Sequence, residues 1–209
     1  MRLELVLLSV HGCRSRSSSV VRSSSRRNCR LMLQLDELEG AYRGKSAVLI
    51  CGGPSTPSDL RRTPWFESAL WSVNIHGILM PDISFIYYYD RHVGTVPEIR
   101  KHPARRVSHQ KDELLEGDVF AGICPDFGFS GAHSVWIAAY MGFSPVFLAG
   151  ADCYGDYDTD YWHQYPGGKE ERMRHAKNDH ADHWIPIAEA VKDKAEIVCF
   201  SDPLKEIFK

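Results

Sequence analysis

The chain has 209 residues, of which 44% are hydrophobic and 25% are charged, which is ordinary for one globular domain with a packed core. The formal net charge is −2, but residues 1–31 hold seven arginines and a single acidic residue, so the rest of the chain is acidic. An acidic body excludes general nucleic-acid binding, which needs a basic face, and no run of about 20 apolar residues predicts a membrane span. The six cysteines include no Cys-x-x-Cys pair, which favours buried thiols in a reducing compartment, and we predict a soluble cytoplasmic protein.

The first 31 residues differ in composition from the remainder. Residues 15–27 consist almost entirely of Arg and Ser, a low-complexity pattern that cannot bury a core. Three interpretations are open: a disordered tail, a transit-like segment, or translated upstream sequence with the working start at Met32. We therefore predict a dispensable tail over 1–31 and one domain over 32–209.

Short apolar runs alternate with helical patterns along the body of the chain. Strands buried on both faces and separated by helices are typical of a parallel sheet, so the sequence predicts an α/β fold with a mostly parallel sheet flanked by helices. After an amphipathic lead-in over 33–42, strands are predicted at 47–50, 69–73, 83–89, near 107, at 145–149 and at 196–200, and helices at 57–67, 130–141, within 169–177 and at 183–193.

A glycine turn follows the first strand. Gly52, Gly53, Pro54 and Ser55 allow a sharp bend and a close approach of a ligand to the backbone, and Ser55 or Ser58 is placed to cap the next helix. Amides at such a turn could bind a phosphate group. The motif is neither a P-loop nor the complete dinucleotide fingerprint, and a plain turn is the simpler alternative.

Further polar residues stand where the other strands end or where a helix begins. Ligands of parallel sheets bind beyond the carboxyl ends of the strands, which places Asn74, Asp90 and Asp152 in the expected crevice. Asp152 suits a magnesium ion or a hydroxyl group, and Asn74 suits a base or a ribose. Ser130 and Gly131 open a helix and suit an anionic group. For each, a turn or a helix cap is the structural alternative.

Histidines and aromatic residues gather after Asp152. One of His163, His175, His180 and His183 could serve as a general base, since imidazole titrates near neutral pH, although a solvated surface histidine is the common case. Aromatic residues that include Tyr154 crowd the same loop and could stack on a base or a sugar ring. Zinc is weakly indicated, because the histidine spacing lacks an acidic zincin pattern.

The ordered set of motifs resembles two families. The glycine turn, the strand-end Asn74, the Ser130-Gly131 helix start and the Gly150-Ala-Asp-Cys-Tyr154 run resemble the bacterial lipooligosaccharide sialyltransferases. They also resemble the 6-hydroxymethylpterin pyrophosphokinase-like (MptE-like) domains, many of them encoded by bacteriophages. The likeness spans about residues 45–200 and implies a Rossmann-like core that uses a nucleotide-activated donor.

The resemblance implies specific roles. The turn at Gly52–Ser55 would hold phosphate, Asn74 the nucleoside, Ser130 and Gly131 the donor, and Asp152 an acceptor or Mg²⁺, while a late histidine would deprotonate the acceptor. His180 is our choice for that base by its distance from the last strand, and His163 is the other catalytic candidate. The chain departs from the sialyltransferases at Gly52, where their turn carries Asn, and its body is short for them.

Two transferase chemistries fit these roles: glycosyl transfer from a nucleotide sugar, and pyrophosphoryl transfer from ATP with Mg²⁺. The alternatives are a non-catalytic nucleotide-binding accessory protein, encoded by a phage, and a hydrolase of phosphorylated small molecules. The expected partner is a nucleotide or nucleotide sugar, and a homo-oligomer remains open.

Overall fold

A computed structural model describes residues 32–153, 162 and 181–209. These residues form an eight-stranded sheet in which every pair of neighbouring strands is parallel. The fold is therefore α/β and Rossmann-like, as the alternation of apolar runs and helices predicted. The strands are β1 (Leu33–Gln34), β2 (Ala47–Ile50), β3 (Ala69–Val73), β4 (Ile83–Tyr88), β5 (Arg105–Ser108), β6 (Val119–Phe120), β7 (Val146–Ala149) and β8 (Ile197–Cys199).

The strand order reverses at β2. The order across the sheet is β1-β6-β5-β4-β3-β2-β7-β8, so the chain runs outward from β2 through β3 to β5 and later returns to the other side of β2 as β7. Ala47 of β2 pairs with Ala69 on one side and Val146 on the other. Such a reversal opens a crevice between loops that leave in opposite directions, and ligands of α/β sheets bind there.

Helices cover both faces of the sheet. The described α-helices are α1 (Thr56–Leu60), α2 (Arg91–Gly94), α3 (Pro97–Lys101), α4 (Ser130–Tyr140), α5 (Ile185–Val191) and α6 (Asp202–Ile207). Shorter 3₁₀ turns occupy Leu35–Leu38, Lys111–Glu113 and Ala181–Trp184. Apolar residues of α4, α5 and α6 pack on one face, and those of α1, α2 and α3 pack on the other. No helix among the described residues is long and apolar enough to cross a membrane.

The central strands are buried on both faces. Leu49 of β2 packs into the cluster under α4, while its neighbours Val48 and Ile50 pack into the opposite cluster, and all three are fully inaccessible. This is the alternation expected when successive side chains of a strand point to opposite faces. Burial on both sides explains why these strands appear in the sequence as continuous apolar runs.

Several predicted boundaries need correction. The first helix ends at Leu60 rather than Glu67, because Pro64 disfavours a helical conformation at Thr63. The run after Cys199, predicted only as a strand end, begins α6, with Ser201 at the N-cap position and Pro203 in its first turn. The two-residue strands β1 and β6 were not predicted. The helix expected within 169–177 lies outside the described residues.

Candidate functional site

The predicted strand-end residues meet at one edge of the sheet. Because all strands are parallel, the carboxyl ends of β2, β3, β4 and β7 lie together, and each is followed by a predicted site residue. The loops after β2 and β7 flank the reversal of strand order. Two direct contacts, one between these loops and one between β3 and α4, define the candidate site.

Gly53 and Asp152 form the first contact. The Gly53 amide donates to the Gly150 carbonyl at 2.9 Å, and the Ser55 amide donates to Asp152 Oδ2 at 3.0 Å. A Cβ atom on Gly53 would lie 2.0 Å from Asp152 Oδ2 and 2.5 Å from the Gly150 carbonyl oxygen. Position 53 therefore requires glycine for a close approach of two loops, and Asp152 lies directly against the glycine turn.

Two buried side chains of α1 fix the same loops. Asp59 accepts hydrogen bonds from Ser55 Oγ at 2.6 Å and from the Gly150 amide at 3.0 Å. Thr56 is fully buried, and its hydroxyl lies 2.9 Å from the Cys51 carbonyl and 2.7 Å from the Gly53 carbonyl. A Cβ atom on Gly150, which has a φ of +75°, would collide with Thr56 Oγ1. The turn after β2 and the turn after β7 thus form one rigid unit.

This geometry corrects the predicted cap and adds a condition to the phosphate hypothesis. Ser55 occupies the N-cap position of α1, but its hydroxyl binds Asp59 and makes no capping bond, and Ser58 lies inside the helix. The amides of Gly53 and Ser55 are both taken by acceptors within the protein. A phosphate group that uses the Ser55 amide must first displace the Asp152 carboxylate.

Asn74 and Ser130 form the second contact. Asn74 follows β3 with a φ of 54°, in the left-handed region that Asn tolerates better than most residues. Its backbone is held there because its amide donates to the Tyr87 carbonyl at 2.7 Å and its carbonyl accepts from Ser72 Oγ at 2.7 Å. Ser130 Oγ, in the first turn of α4, donates to Asn74 Oδ1 at 3.1 Å. The fold thus brings together two predicted site residues that are far apart in sequence.

Gly131 and Asp90 have different surroundings. A Cβ atom on Gly131 would lie 3.1 Å from the Trp184 ring, so this glycine allows α4 to pack closely on the 3₁₀ turn before α5. Asp90 occupies the N-cap position of α2 without a side-chain capping bond and is half-buried. It lies close enough to the Tyr89 phenol to contribute to a raised pKa of that group, after burial and Asp126. Gly131 therefore has a packing role whatever it binds.

A cluster of histidine and tyrosine rings adjoins Asn74 and Ser130. The members are Tyr87 and Tyr89 at the end of β4, His109 after β5, and His133 in α4. Tyr89 and His133 stack with ring centroids 4.6 Å apart, and the Tyr87 hydroxyl lies 3.1 Å from His109 Nδ1. The sequence pattern indicated only the later histidines, and this cluster was not predicted.

Burial keeps the rings of this cluster uncharged. Desolvation, followed by the nearby His109, lowers the pKa of His133 to about 4. Burial also lowers the pKa of His109 and raises that of Tyr87 well above its ordinary value. Asp126 at the rim shows the opposite behaviour, because the hydrogen bond from the Gly128 amide lowers the pKa of its carboxyl group. Near neutral pH the cluster is therefore a neutral aromatic wall beside an ionised carboxylate.

Three of the predicted site residues lie outside the described residues: Tyr154, His163 and His180. His175 also lies outside them, whereas His183 is exposed in the 3₁₀ turn before α5. Trp162, in the predicted aromatic loop, is described: its amide donates to the Gly52 carbonyl at 3.2 Å, and its side chain packs against the cluster under α1. An aromatic residue of that loop therefore lies against the glycine turn.

The described residues provide few ligands for a metal ion. In residues 32–153, 162 and 181–209, no group of three or more His, Cys, Asp or Glu side chains is placed to hold one. Asp152, the predicted magnesium ligand, instead accepts the Ser55 amide through Oδ2. Magnesium sites in proteins commonly combine one or two carboxylates with substrate phosphates and water, so Asp152 as a magnesium ligand stays a prediction.

Among solved structures, two glycosyltransferases resemble this fold. The sialyltransferase CstII from Campylobacter jejuni, in complex with the substrate analogue CMP-3FNeuAc, aligns over 79% of this chain and 85% of its own, with 13% identity and a TM-score of 0.51. The MAf glycosyltransferase from Magnetospirillum magneticum AMB-1 aligns over 82% of this chain and 34% of its own, with 13% identity and a TM-score of 0.43. No family model and no curated protein matches the chain. The likeness to CstII establishes a common fold.

Proposed function

We propose that this protein transfers a glycosyl group from a nucleotide-activated sugar to a hydroxyl group. The observation that carries the proposal is the pair formed by Asn74 and Ser130, two polar side chains from different elements that meet at the carboxyl edge of the sheet. The glycine turn and Asp152 meet at the same edge. The fold is that of CstII, whose structure contains a CMP-sugar analogue, and this supports a nucleotide sugar as the ligand.

The proposal assigns each residue the role that the resemblance implies and that its chemistry permits. The turn at Gly52, Gly53, Pro54 and Ser55 would receive the donor phosphate, after Asp152 leaves the Ser55 amide. Ser130 already donates to Asn74 Oδ1, so the side-chain NH₂ group of Asn74 is the part that would bind the nucleoside. Gly131, which packs closely against Trp184, would place the start of α4 near the donor.

The reaction step requires an acceptor hydroxyl and a base. Asp152, once released from the turn, would accept the hydrogen bond of the acceptor hydroxyl and orient it. A late histidine, His180 or His163, would take the proton as the oxygen attacks the sugar carbon and the nucleotide leaves with the bonding electrons. Tyr154 would stack on the donor or the acceptor.

The donor class can be tested by thermal shift. We expect one class among CMP-sugars, UDP-sugars, ATP and GTP, each with and without Mg²⁺, to raise the unfolding midpoint of the wild-type chain. A ligand at 100 times its Kd adds about 2.7 kcal/mol of stability to the folded state. A response only to ATP with Mg²⁺, abolished by a chelator, would favour pyrophosphoryl transfer at Asp152 instead. Binding without turnover in the presence of acceptors would favour the non-catalytic accessory protein.

Asn74 and Ser130, called the polar pair from here on, are tested by substitution of Asn74. Asn74→Ala removes the side chain that faces the donor and leaves Ser130 in place, so we expect the Kd of the donor to rise about tenfold. Ser84→Ala, at the opposite end of β4, is the control and should leave the Kd unchanged. Equal donor affinity in Asn74→Ala and the wild-type chain, measured by titration calorimetry, would contradict the proposed site.

A further inference from the structure

His133 is buried in α4 with both ring nitrogens engaged. Its side chain is fully inaccessible, and one tautomer satisfies both of its polar atoms. Nδ1–H donates to the Phe129 carbonyl at 2.8 Å, and Nε2 accepts the Phe127 amide at 2.9 Å. A buried ring that only fills space would be better served by an apolar residue, because an imidazole must recover its lost hydration through hydrogen bonds.

Both hydrogen bonds hold the same short segment, residues 126–129, which leads into α4. In the same segment the Gly128 amide donates to Asp126 Oδ1 at 2.9 Å, Gly128 has a φ of +83°, and Asp126 Oδ1 lies 3.4 Å from His133 Nε2. The segment ends at Phe129, the N-cap residue of α4, whose side chain makes no capping bond. The next residue is Ser130, whose hydroxyl binds Asn74. An unbroken chain of contacts therefore runs from His133 through the backbone of Phe127 and Phe129 to the polar pair.

The opposite side of the ring is also fixed. The face of His133 stacks on Tyr89, which directly follows β4, and the Tyr87 carbonyl of the same strand holds the Asn74 amide. His133 thus connects the entry of α4 with the strand that orients Asn74. Displacement of the ring would move Ser130 relative to Asn74.

We propose that His133 is a positioning residue that sets the distance between Ser130 and Asn74 and so prepares this pair to bind the nucleotide-activated donor. The inference rests on the proposed function, because it assigns the residue that organises the same site. His133 itself does not touch the donor. It acts through the segment that its two ring nitrogens hold.

The test combines three variants of the full chain. His133→Phe keeps the ring and its stacking on Tyr89 but loses both hydrogen bonds, and His133→Gln keeps one donor and one acceptor. Trp136→Phe is the control, because Trp136 lies one turn further along α4, is 8% exposed, and stacks on Tyr140 away from the polar pair. The probe is CMP-3FNeuAc or the donor class selected by thermal shift, and its Kd is measured by titration calorimetry.

We expect His133→Phe to weaken donor binding about tenfold, His133→Gln to restore most of the affinity, and Trp136→Phe to change only the stability of the unliganded chain. In a Ser130→Ala background, His133→Phe should have little further effect on the Kd, because the two residues act through one contact. Full additivity of the two losses, or unchanged affinity in His133→Phe, would overturn the inference.

Failure of the proposed function gives a different result. In that case the wild-type chain binds none of the donors, whereas the coupling between His133 and Ser130 is still measurable as non-additive changes in the unfolding midpoint. Absence of coupling in stability as well as in affinity would overturn the positioning role by itself.

Discussion

At the scale of single residues, the candidate site depends on a position where no side chain fits. Gly53 lies between Asp152 and the Gly150 carbonyl, and even one methyl group would overlap both. The sequence suggested a turn with room for a ligand, whereas the structure fills that room with a carboxylate from the other side of the sheet reversal. The glycine is thus required first by the protein's own packing.

We predict that Gly53→Ala destabilises the chain by about 1–3 kcal/mol, because two loops must separate to admit the methyl group. The free energy of unfolding in urea measures the effect. In a combined Gly53→Ala and Asp152→Ala chain, one of the two clashes is gone. The combined loss should therefore be smaller than the sum of the single losses, and simple additivity would contradict the overlap.

His133 also makes a prediction about pH. Its folded-state pKa of about 4 lies below the ordinary value of 6.5, so the unfolded chain binds the proton more readily. The resulting stability is fully present above pH 6.5 and is lost as the pH falls from 6.5 towards 4, by roughly 3 kcal/mol. The groups around the ring are His109, Tyr87, Tyr89 and Asp126, and His109 changes stability in the same direction.

The measurement is the unfolding free energy as a function of pH. His133→Gln should flatten the dependence between pH 6.5 and 4, whereas a matched substitution of the exposed His92 in α2 should not. An unchanged slope in His133→Gln would show that the ring is readily protonated in the folded protein.

At the residue scale, a general rule selected candidate site residues from the sequence, whereas residues whose importance depends on a tertiary contact were missed. The rule that ligands bind beyond the carboxyl ends of parallel strands selected Asn74, Asp152 and the glycine turn from local sequence. It could not select Asp59 or His133, because the importance of these residues comes from partners that only the fold supplies. Asp59 binds an amide 91 residues away, and no local pattern encodes that contact.

At the scale of elements, the long or strongly apolar segments were predictable and the short ones were not. Strands β2 and β3 were predicted with the correct limits, because each is a continuous buried run. Helix α4 was predicted to within one residue, because Ser130-Gly131 marks its start and Gly142 marks its end. Strands β1 and β6 contain two residues each, too few to show any period.

The short helix α1 holds two loops of the candidate site together. It contains five residues, yet its Asp59 joins the turn after β2 to the turn after β7. We predict that Asp59→Ala lowers stability by about 1–3 kcal/mol, because the buried Gly150 amide and the Ser55 hydroxyl lose their acceptor. Thermal unfolding measures the loss, and Asp193→Ala, at an exposed position after α5, is the control. Equal midpoints for the two variants would contradict the role of Asp59.

At the scale of the whole molecule, the first strand among the described residues, β1, lies at an edge of the sheet. The Leu33 amide donates to the Asp118 carbonyl at 2.9 Å, and β1 pairs with β6 at the edge of the sheet. Asp118 is itself buried in an ion pair with Arg106, and it also accepts the amides of Arg106 and Leu115. The first described residues are therefore attached to a well-organised edge.

We predict that removal of residues 1–31 leaves the unfolding midpoint and donor binding unchanged, because the described core and the site are built from later residues. Removal of residues 1–34 should lower the midpoint, because it deletes β1 and exposes the edge of β6. The unfolding midpoints of the two truncated chains, compared with that of the full chain, test both expectations. A large loss of stability on removing 1–31 alone would show that the Arg/Ser-rich segment supports the domain.

The place of β2 between β3 and β7 has a consequence for how the protein is made. On the ribosome, β2 can pair with β3 soon after both emerge, but its other edge must wait for β7, about a hundred residues later. Until β7 pairs with β2, one edge of this apolar strand has no partner strand and is accessible to other nascent chains. The crevice then lacks the loop that follows β7. The candidate site needs the loops that follow both β2 and β7, so it cannot be complete before β7 has been synthesised.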